Sequence, residues 1–181
     1  MQIKNLFVFN LTNALRGMRN PLQSWAKSTL EADKKLAMKL IKAGPEHAKF
    51  MRQIFLSLDI TASKTWWKQF DTYKIGVTAN STSTMHTIMK RNLTKEDFDL
   101  DKWHMYDILY LEFLNSLREE GKFHDLVKRL PDSYLYTRTV TLNYQVLRNM
   151  YWQRKGHKLP EWKKFFDQIL GEIPYKEFID D

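Results

Sequence analysis

The chain has 181 residues, 43% of them hydrophobic and 28% charged, a composition that suits one folded domain spanning 1–181 and excludes a disordered tail. Its 29 Lys and Arg against 21 Asp and Glu leave a formal charge of +8; this favours an anionic partner such as a nucleotide, a nucleic acid or a phosphorylated substrate, and a merely solvated basic surface accounts for it equally well. Zero cysteines exclude disulfides, thiolate nucleophiles, Cys-ligated zinc and iron–sulfur clusters, and the six glycines form neither a Rossmann fingerprint nor a P-loop, so any bound phosphate is held mainly by side chains.

Taken in chain order, Leu6–Phe9 is a short β-prone run. It is too interrupted for a signal peptide, and no later run approaches the roughly 18 apolar residues of a membrane span, so the expectation is a cytoplasmic protein with no membrane contact. Ser28–Ala43 carries Leu30, Leu36, Ala37, Leu40 and Ile41 at helical spacing and is closed by Gly44-Pro45. Gln53–Ile60 alternates as a strand and Ala62–Tyr73 follows as a helix rich in Trp, Lys and Gln. From Ile75 to His86 the sequence is dense in small hydroxyl and amide side chains without a period, the signature of a loop, and Arg91–Asp101 is a polar connection. The second half reads almost wholly as helix: Leu100–Glu120, a long helix over Ser133–Lys155 entered after Pro131, and Pro160–Ile169 with Trp162, Phe165, Phe166 and Ile169 on one face. The expected class is α+β, helix-dominant, with a small antiparallel sheet.

Two groups of residues could carry chemistry. Seven of the nine residues from Thr78 to His86 are Thr, Ser, Asn or His, short polar groups able to bond a phosphate or a base, or simply a surface loop satisfied by turns and water. On the long helix, Asn143 and Arg154 are almost three turns apart and share a face, with Gln145 and Asn149 as an i,i+4 pair beside it. Amides and a guanidinium among apolar residues suit a planar heterocycle and an anion; the alternative is that Arg154 caps its helix or pairs with Glu161. The aromatic residues fall at helical spacing, where core packing competes with base stacking. The five histidines show no metal-ligand spacing, and no metal is expected.

These pieces, in this order, resemble the flavin-dependent thymidylate synthase family from about Ala14 to Ile169. Leu40-Ile41-Lys42-Ala43-Gly44 with Glu46 and His47 is similar to the family's helix followed by Gly and His. Lys68-Gln69 is similar to the pair before its signature. Leu130-Pro131, Leu135-Tyr136-Thr137-Arg138, Asn143, Asn149 and Arg154 follow its downstream pattern. The NPLQSW and NSTSTMH segments look like homologues in bacteriophages or prophages, which would make the compartment the host cytoplasm.

The resemblance implies a homotetramer, FAD held across subunits, and methylation of dUMP with methylenetetrahydrofolate and NADPH, with hydride supplied by reduced flavin and no enzyme cysteine required. It implies that Gln69 and Ser83 position the pyrimidine, that Ser81, Thr82, Thr84, His86 and Arg154 join them around the nucleotide, and that His47, Lys74, Asn80, Asn143, Gln145 and Asn149 border the flavin. The family signature RHRxxSxxxxSxRY is altered here: Thr72 and Tyr73 stand for its first Arg and His, Met85 for its nucleotide-binding Arg, His86 for its Tyr, and Gln145 for a usual Arg. Losing one charge-assisted phosphate contact costs about 1.5 to 3 kcal/mol. Two readings follow: an active enzyme with an altered ligand set, or an inactive fold relative that binds or sequesters a nucleotide. A nucleic-acid-binding module rests on the charge alone.

Overall fold

The computed structural model describes residues 1–181. Four strands, β1 (Gln2–Phe9), β2 (Phe55–Ser63), β3 (Val77–Ser81) and β4 (Leu135–Asn143), form one antiparallel sheet in the order β1-β2-β4-β3. The helices are α1 (Leu11–Gly17), α2 (Leu30–Ala43), α3 (Lys64–Phe70), α4 (Thr84–Thr87), α5 (Met105–Glu119), α6 (Phe123–Arg129), α7 (Tyr144–Arg154), α8 (Pro160–Glu172) and α9 (Glu177–Asp180). The class is α+β with helix dominant. No helix is long and apolar enough to cross a membrane.

The two central strands show why this sequence makes a sheet. Leu56, Leu58, Ile60 and Ala62 of β2 and Val140 and Leu142 of β4 are buried, while the residues between them are short and polar and lie on the other face. There they bond across strands: Asn5 and Thr139 donate to the two carboxylate oxygens of Asp59 at 2.7 and 2.5 Å, and the hydroxyls of Thr61 and Thr137 meet at 2.7 Å. The bonds from Thr139 and Asn5 hold the Asp59 carboxyl below the usual carboxylate range.

Both β2 and β4 run straight into a helix, and the last residue of each strand caps that helix. Ser63 Oγ accepts from Trp66 N at 3.4 Å, and Asn143 Oδ1 accepts from Val146 N at 3.0 Å; both caps are buried. This corrects the helix expected over Ser133–Lys155. Its first half is β4, because Thr137, Thr139 and Thr141 alternate with Arg138, Val140 and Leu142 in a period of two and the β-branched residues favour the pleated surface. Helix begins only after the Asn143 cap.

The loop expected over Ile75–His86 is also more regular than its composition suggests. Val77–Ser81 is an edge strand, for which Thr, Val and Asn suffice because only one side must pair, and Thr84–Thr87 makes one helical turn after Ser83. The polar connection over Arg91–Asp101 is built rather than slack: Leu93 and Phe98 are buried, and Thr94 and Asp97 cap a single turn at Lys95–Asp97.

The chain divides into two compact units. One comprises Met1–Gln2, Ile60–Thr72 and Asn80–Arg138. Its core is a cluster of Ile88, Leu93, Phe98, Leu114, Leu117, Leu126 and Leu130. The other comprises Ile3–Asp59, Tyr73–Ala79 and Thr139–Asp181. It buries Tyr144, Leu147 and Met150 of α7 and the Trp162, Phe165, Phe166 and Ile169 stripe of α8, with Tyr151 edge-on to Phe166 at 5.2 Å. The α8 stripe is the one its spacing predicts. In the same unit Arg19 and Asp33, both buried, form an ion pair closed by Ser28 Oγ at 2.6 Å, which ties the segment after α1 to α2.

Candidate functional site

The candidate residues fall in both units. In the first, Gln69 is half-buried near the end of α3, and Ser81 ends β3. Thr82 is fixed to β4 by two bonds: its N–H donates to the Thr137 carbonyl at 2.9 Å, and its Oγ accepts from Thr137 N at 3.3 Å. Ser83 enters α4, and its carbonyl accepts from the Thr87 hydroxyl at 2.7 Å. Thr84 follows half-buried, and the Asn80 and His86 side chains are exposed. Ser81 Oγ donates to the Thr82 carbonyl at 3.0 Å. Part of the hydroxyl chemistry of this segment is therefore spent on its own backbone.

Ser81 also lines a groove of about 300 Å3 with Lys64, Trp67, Lys68, Asp71, Tyr136 and Arg138. The Arg138 guanidinium lies 4.2 Å over the Trp67 ring and donates to Asp71 Oδ1 at 2.6 Å, while Trp67 Nε1 donates to the Tyr136 carbonyl at 3.1 Å. Burial pushes the Tyr136 hydroxyl up from its ordinary range, against the opposing influence of Arg138 and a hydrogen bond with Thr84. Lys68 and Lys64 both face Asp132, at 2.6 and 3.7 Å. The groove holds cations, but each has an acidic partner.

Arg154, in the second unit, is different. Its Nε donates to the Tyr73 hydroxyl at 3.0 Å, that hydroxyl donates to Gln153 Oε1 at 2.9 Å, and its guanidinium lies 5.7 Å from the Tyr73 ring centroid and 5.4 Å from that of Trp162. Neither Glu161 nor any other carboxylate pairs with it. The contrast with the other arginines is sharp. Arg19, Arg91, Arg118, Arg129 and Arg138 each face a carboxylate. Arg148 spends its terminal nitrogens on the carbonyls of Phe178, Ile179 and Asp181, and Arg16 and Arg52 are exposed. Arg154 is thus a half-buried, immobilised guanidinium whose terminal nitrogens have no acceptor in the protein.

Along the same helix Gln145 Nε2 donates to Asn149 Oδ1 at 3.1 Å, as their i,i+4 spacing predicts. Both amides line a recess of about 240 Å3 with Arg148 and the apolar Ile41, Pro45, Ala48 and Met51. Burial lowers the affinity of Arg148 for its proton. Asn143 does not line this recess; its Oδ1 accepts from Val146 N as the α7 cap. Lys74 is exposed. His47, 3.7 Å from Glu46, opens instead on a cleft of about 450 Å3 lined by Met18, Leu36, Leu40, Lys49, Phe50 and Gln53 among others. The 45–53 segment separates these two hollows, with Pro45, Ala48 and Met51 on one side and His47, Lys49 and Phe50 on the other.

No protein-family model and no curated protein matches the sequence. Solved structures do match. Thymidylate synthase X from Helicobacter pylori, crystallised with FAD and dUMP, aligns with a TM-score of 0.84 at 16% identity over 100% of this chain and 98% of that one. A second structure of the flavin-dependent thymidylate synthase from the same organism, complexed with FAD and dUMP, gives the same score and identity, with 99% of that chain covered. The chain has the flavin-dependent thymidylate synthase fold.

Within that thymidylate synthase-like fold, the altered signature positions have visible consequences. Thr72 turns its hydroxyl back to the Gln69 carbonyl at 2.7 Å and so closes the end of α3. Met85 is 63% exposed. Tyr73 is the residue whose importance the residue pattern alone did not reveal. Its signal was its place, four residues after Gln69, where the resemblance leads one to expect a histidine.

Proposed function

We propose that the protein binds a deoxyuridine nucleotide and a flavin and methylates the pyrimidine at C5 in the manner of flavin-dependent thymidylate synthases. The observation that carries this reading is the uncompensated, half-buried Arg154 in a fold whose solved neighbours hold FAD and dUMP. A charge so placed loses hydration without gaining a counter-ion, a cost that an anionic ligand removes. Arg154 would contact the nucleotide's base or its phosphate.

The recess beside Gln145 and Asn149 suits one ring system of a flavin, with an apolar wall on one side and amide donors and acceptors on the other. Its volume is below the roughly 300 to 1,000 Å3 of a complete ligand pocket, so a whole dinucleotide must extend onto further surface. Exposed Phe7, Phe9, Met105, Tyr106 and Leu109 support a homo-oligomer as the source of that surface. A flavin held here and reduced by NADPH would supply the hydride, with methylenetetrahydrofolate as the one-carbon donor; the chain, having no cysteine, offers no thiolate for attack on the ring.

A second reading, nucleotide binding without turnover, is favoured by one specific observation: Thr72 donates its hydroxyl proton to its own helix end and brings no cation where the resemblance leads one to expect an arginine. One experiment separates the two. Purified protein is scanned for flavin absorbance, its melting temperature is followed with dUMP and with FAD, and thymidylate formation is assayed with all co-substrates. Yellow protein that makes thymidylate is the expected result. A dUMP-dependent rise in melting temperature without product supports the second reading, and no shift with either ligand refutes both.

A further inference from the structure

We infer that a pocket in the first unit, lined by Phe98, Trp103, Tyr110 and Asp107, binds a small alkylated ammonium cation, a site separate from the nucleotide reading above. The pocket is about 110 Å3 and lies between the segment around Phe98 to Trp103 and α5, with Leu111 and Leu114 completing its apolar lining. The face of an aromatic ring attracts a cation without any hydrogen bond. Two of the rings meet almost at a right angle, Phe98 and Trp103 being 5.8 Å apart with an interplanar angle of 77°. The chain already uses the attraction once: Lys95 Nζ, which does not line the pocket, lies 5.5 Å from the Trp103 ring centroid.

The lining is fixed before anything binds. Phe98 is buried in the core cluster of its unit and lies edge-on to Tyr134 at 5.7 Å, and the Tyr110 hydroxyl donates to the Arg129 carbonyl at 2.7 Å. Asp107 Oδ2 accepts from His104 N at 2.8 Å, which orients the carboxylate and leaves Oδ1 without a partner. Asp33, Asp71, Asp97, Asp132 and Asp167 each face a Lys or Arg, whereas Asp107 has no cation beside it although the chain carries a charge of +8. Its full negative charge outweighs the roughly half positive charge of the helix end it caps. A pocket of this size lies below the roughly 300 Å3 of a drug-sized ligand and takes one small group. An alkylated ammonium suits it, because its methyl groups spread the charge and meet apolar walls without needing several acceptors. A metal ion needs more oxygen ligands than one carboxylate provides.

The test follows the Trp103 indole N–H resonance, assigned by its loss in Trp103→Phe, while the full chain is titrated with tetramethylammonium chloride at constant chloride. A parallel titration uses tert-butanol, which has a similar shape and no charge. Tetramethylammonium is expected to give a saturating shift and to bind about ten-fold more tightly than tert-butanol, within the range of a desolvated cation–π contact. Asp107→Asn keeps an oxygen for His104 N and should weaken tetramethylammonium binding about five-fold, the upper end for an exposed ion pair. Glu112→Gln, which removes the same charge from an exposed position of α5 outside the pocket, should leave it unchanged. A shift that never saturates, equal binding of tert-butanol, or wild-type affinity in Asp107→Asn overturns the inference. An equal loss in Glu112→Gln and Asp107→Asn overturns it too, since the cation would then follow the charge of the helix and not the pocket.

Discussion

Gly76 lies between Tyr73 and β3 at φ 76°, and a Cβ built there meets Val146 Cγ2 at 3.0 Å and Asn143 Nδ2 at 3.1 Å. Replacing it with alanine therefore raises two separate costs. The left-handed backbone costs an L-residue roughly 1 to 2 kcal/mol. The contacts, well inside the 3.5 to 4.0 Å optimum between carbon atoms, press on the side chain that caps α7 through Val146 N, and loss of such a cap costs about 1 kcal/mol. Gly121 provides the control, since it has φ 70° but nothing within 4 Å of its Cβ position. Gly121→Ala should cost about 1 to 2 kcal/mol and Gly76→Ala about 2 to 3 kcal/mol. Any gain from stiffening the unfolded chain is common to both and cancels in the difference. At roughly 2 to 4 °C per kcal/mol for a chain of this size, thermal melts should place Gly76→Ala at least 2 °C below Gly121→Ala. Equal melting temperatures would show that the turn needs glycine for its dihedral angles only, and that its approach to the Asn143 cap carries no energy.

Two further perturbations test the framework around the site. Arg19→Ala leaves the Asp33 carboxylate buried with only the Ser28 hydroxyl for company, and urea denaturation should show a loss of about 3 to 5 kcal/mol, against a much smaller loss for the paired replacement Arg19→Met with Asp33→Leu. Asp97 is half of a helix cap; burial opposes its ionisation, but the bonds from Arg91 and Thr94 outweigh that and hold its carboxyl below the ordinary value of 3.8. Because its folded pKa is depressed, the stabilisation is complete above that ordinary value and disappears as pH falls through the lower folded one. The melting-temperature gap between the wild type and Asp97→Asn should thus be constant near neutrality and close in acid, and a gap unchanged at low pH would contradict the assignment.

Where the sequence was legible, short-range physics decided the outcome. The helix that ends at Gly44-Pro45, the alternation from Leu56 to Ile60 and the aromatic stripe of α8 each announce themselves within a dozen residues. Thr137 to Leu142 did not, because Pro131 and the apolar spacing downstream suggest helix entry, and only pairing with β2 and β3 rewards the competing period of two. The i,i+4 amide pair of Gln145 and Asn149 was readable from spacing; the diversion of Asn143 into a cap was not, since the same side chain on a continuous helix would have pointed outward. The Tyr73–Arg154 contact joins residues 81 apart in sequence, beyond the reach of any local rule.

The same comparison changes what the charge of +8 means. Net charge treats every cation alike, yet most of the arginines are already answered by a carboxylate or by main-chain carbonyls, and Lys34, Lys68, Lys122 and Lys163 have acidic partners of their own. Such pairs screen one another and draw a ligand only weakly. The excess charge consequently says little about where a ligand sits. A guanidinium clamped by a tyrosine and a tryptophan and denied a counter-ion says much more, because its two terminal nitrogens are the ones the fold has positioned and left unused. If a nucleotide binds, the salt dependence of its affinity should therefore reflect few contacts made by a well-ordered group, rather than the diffuse attraction of a basic surface.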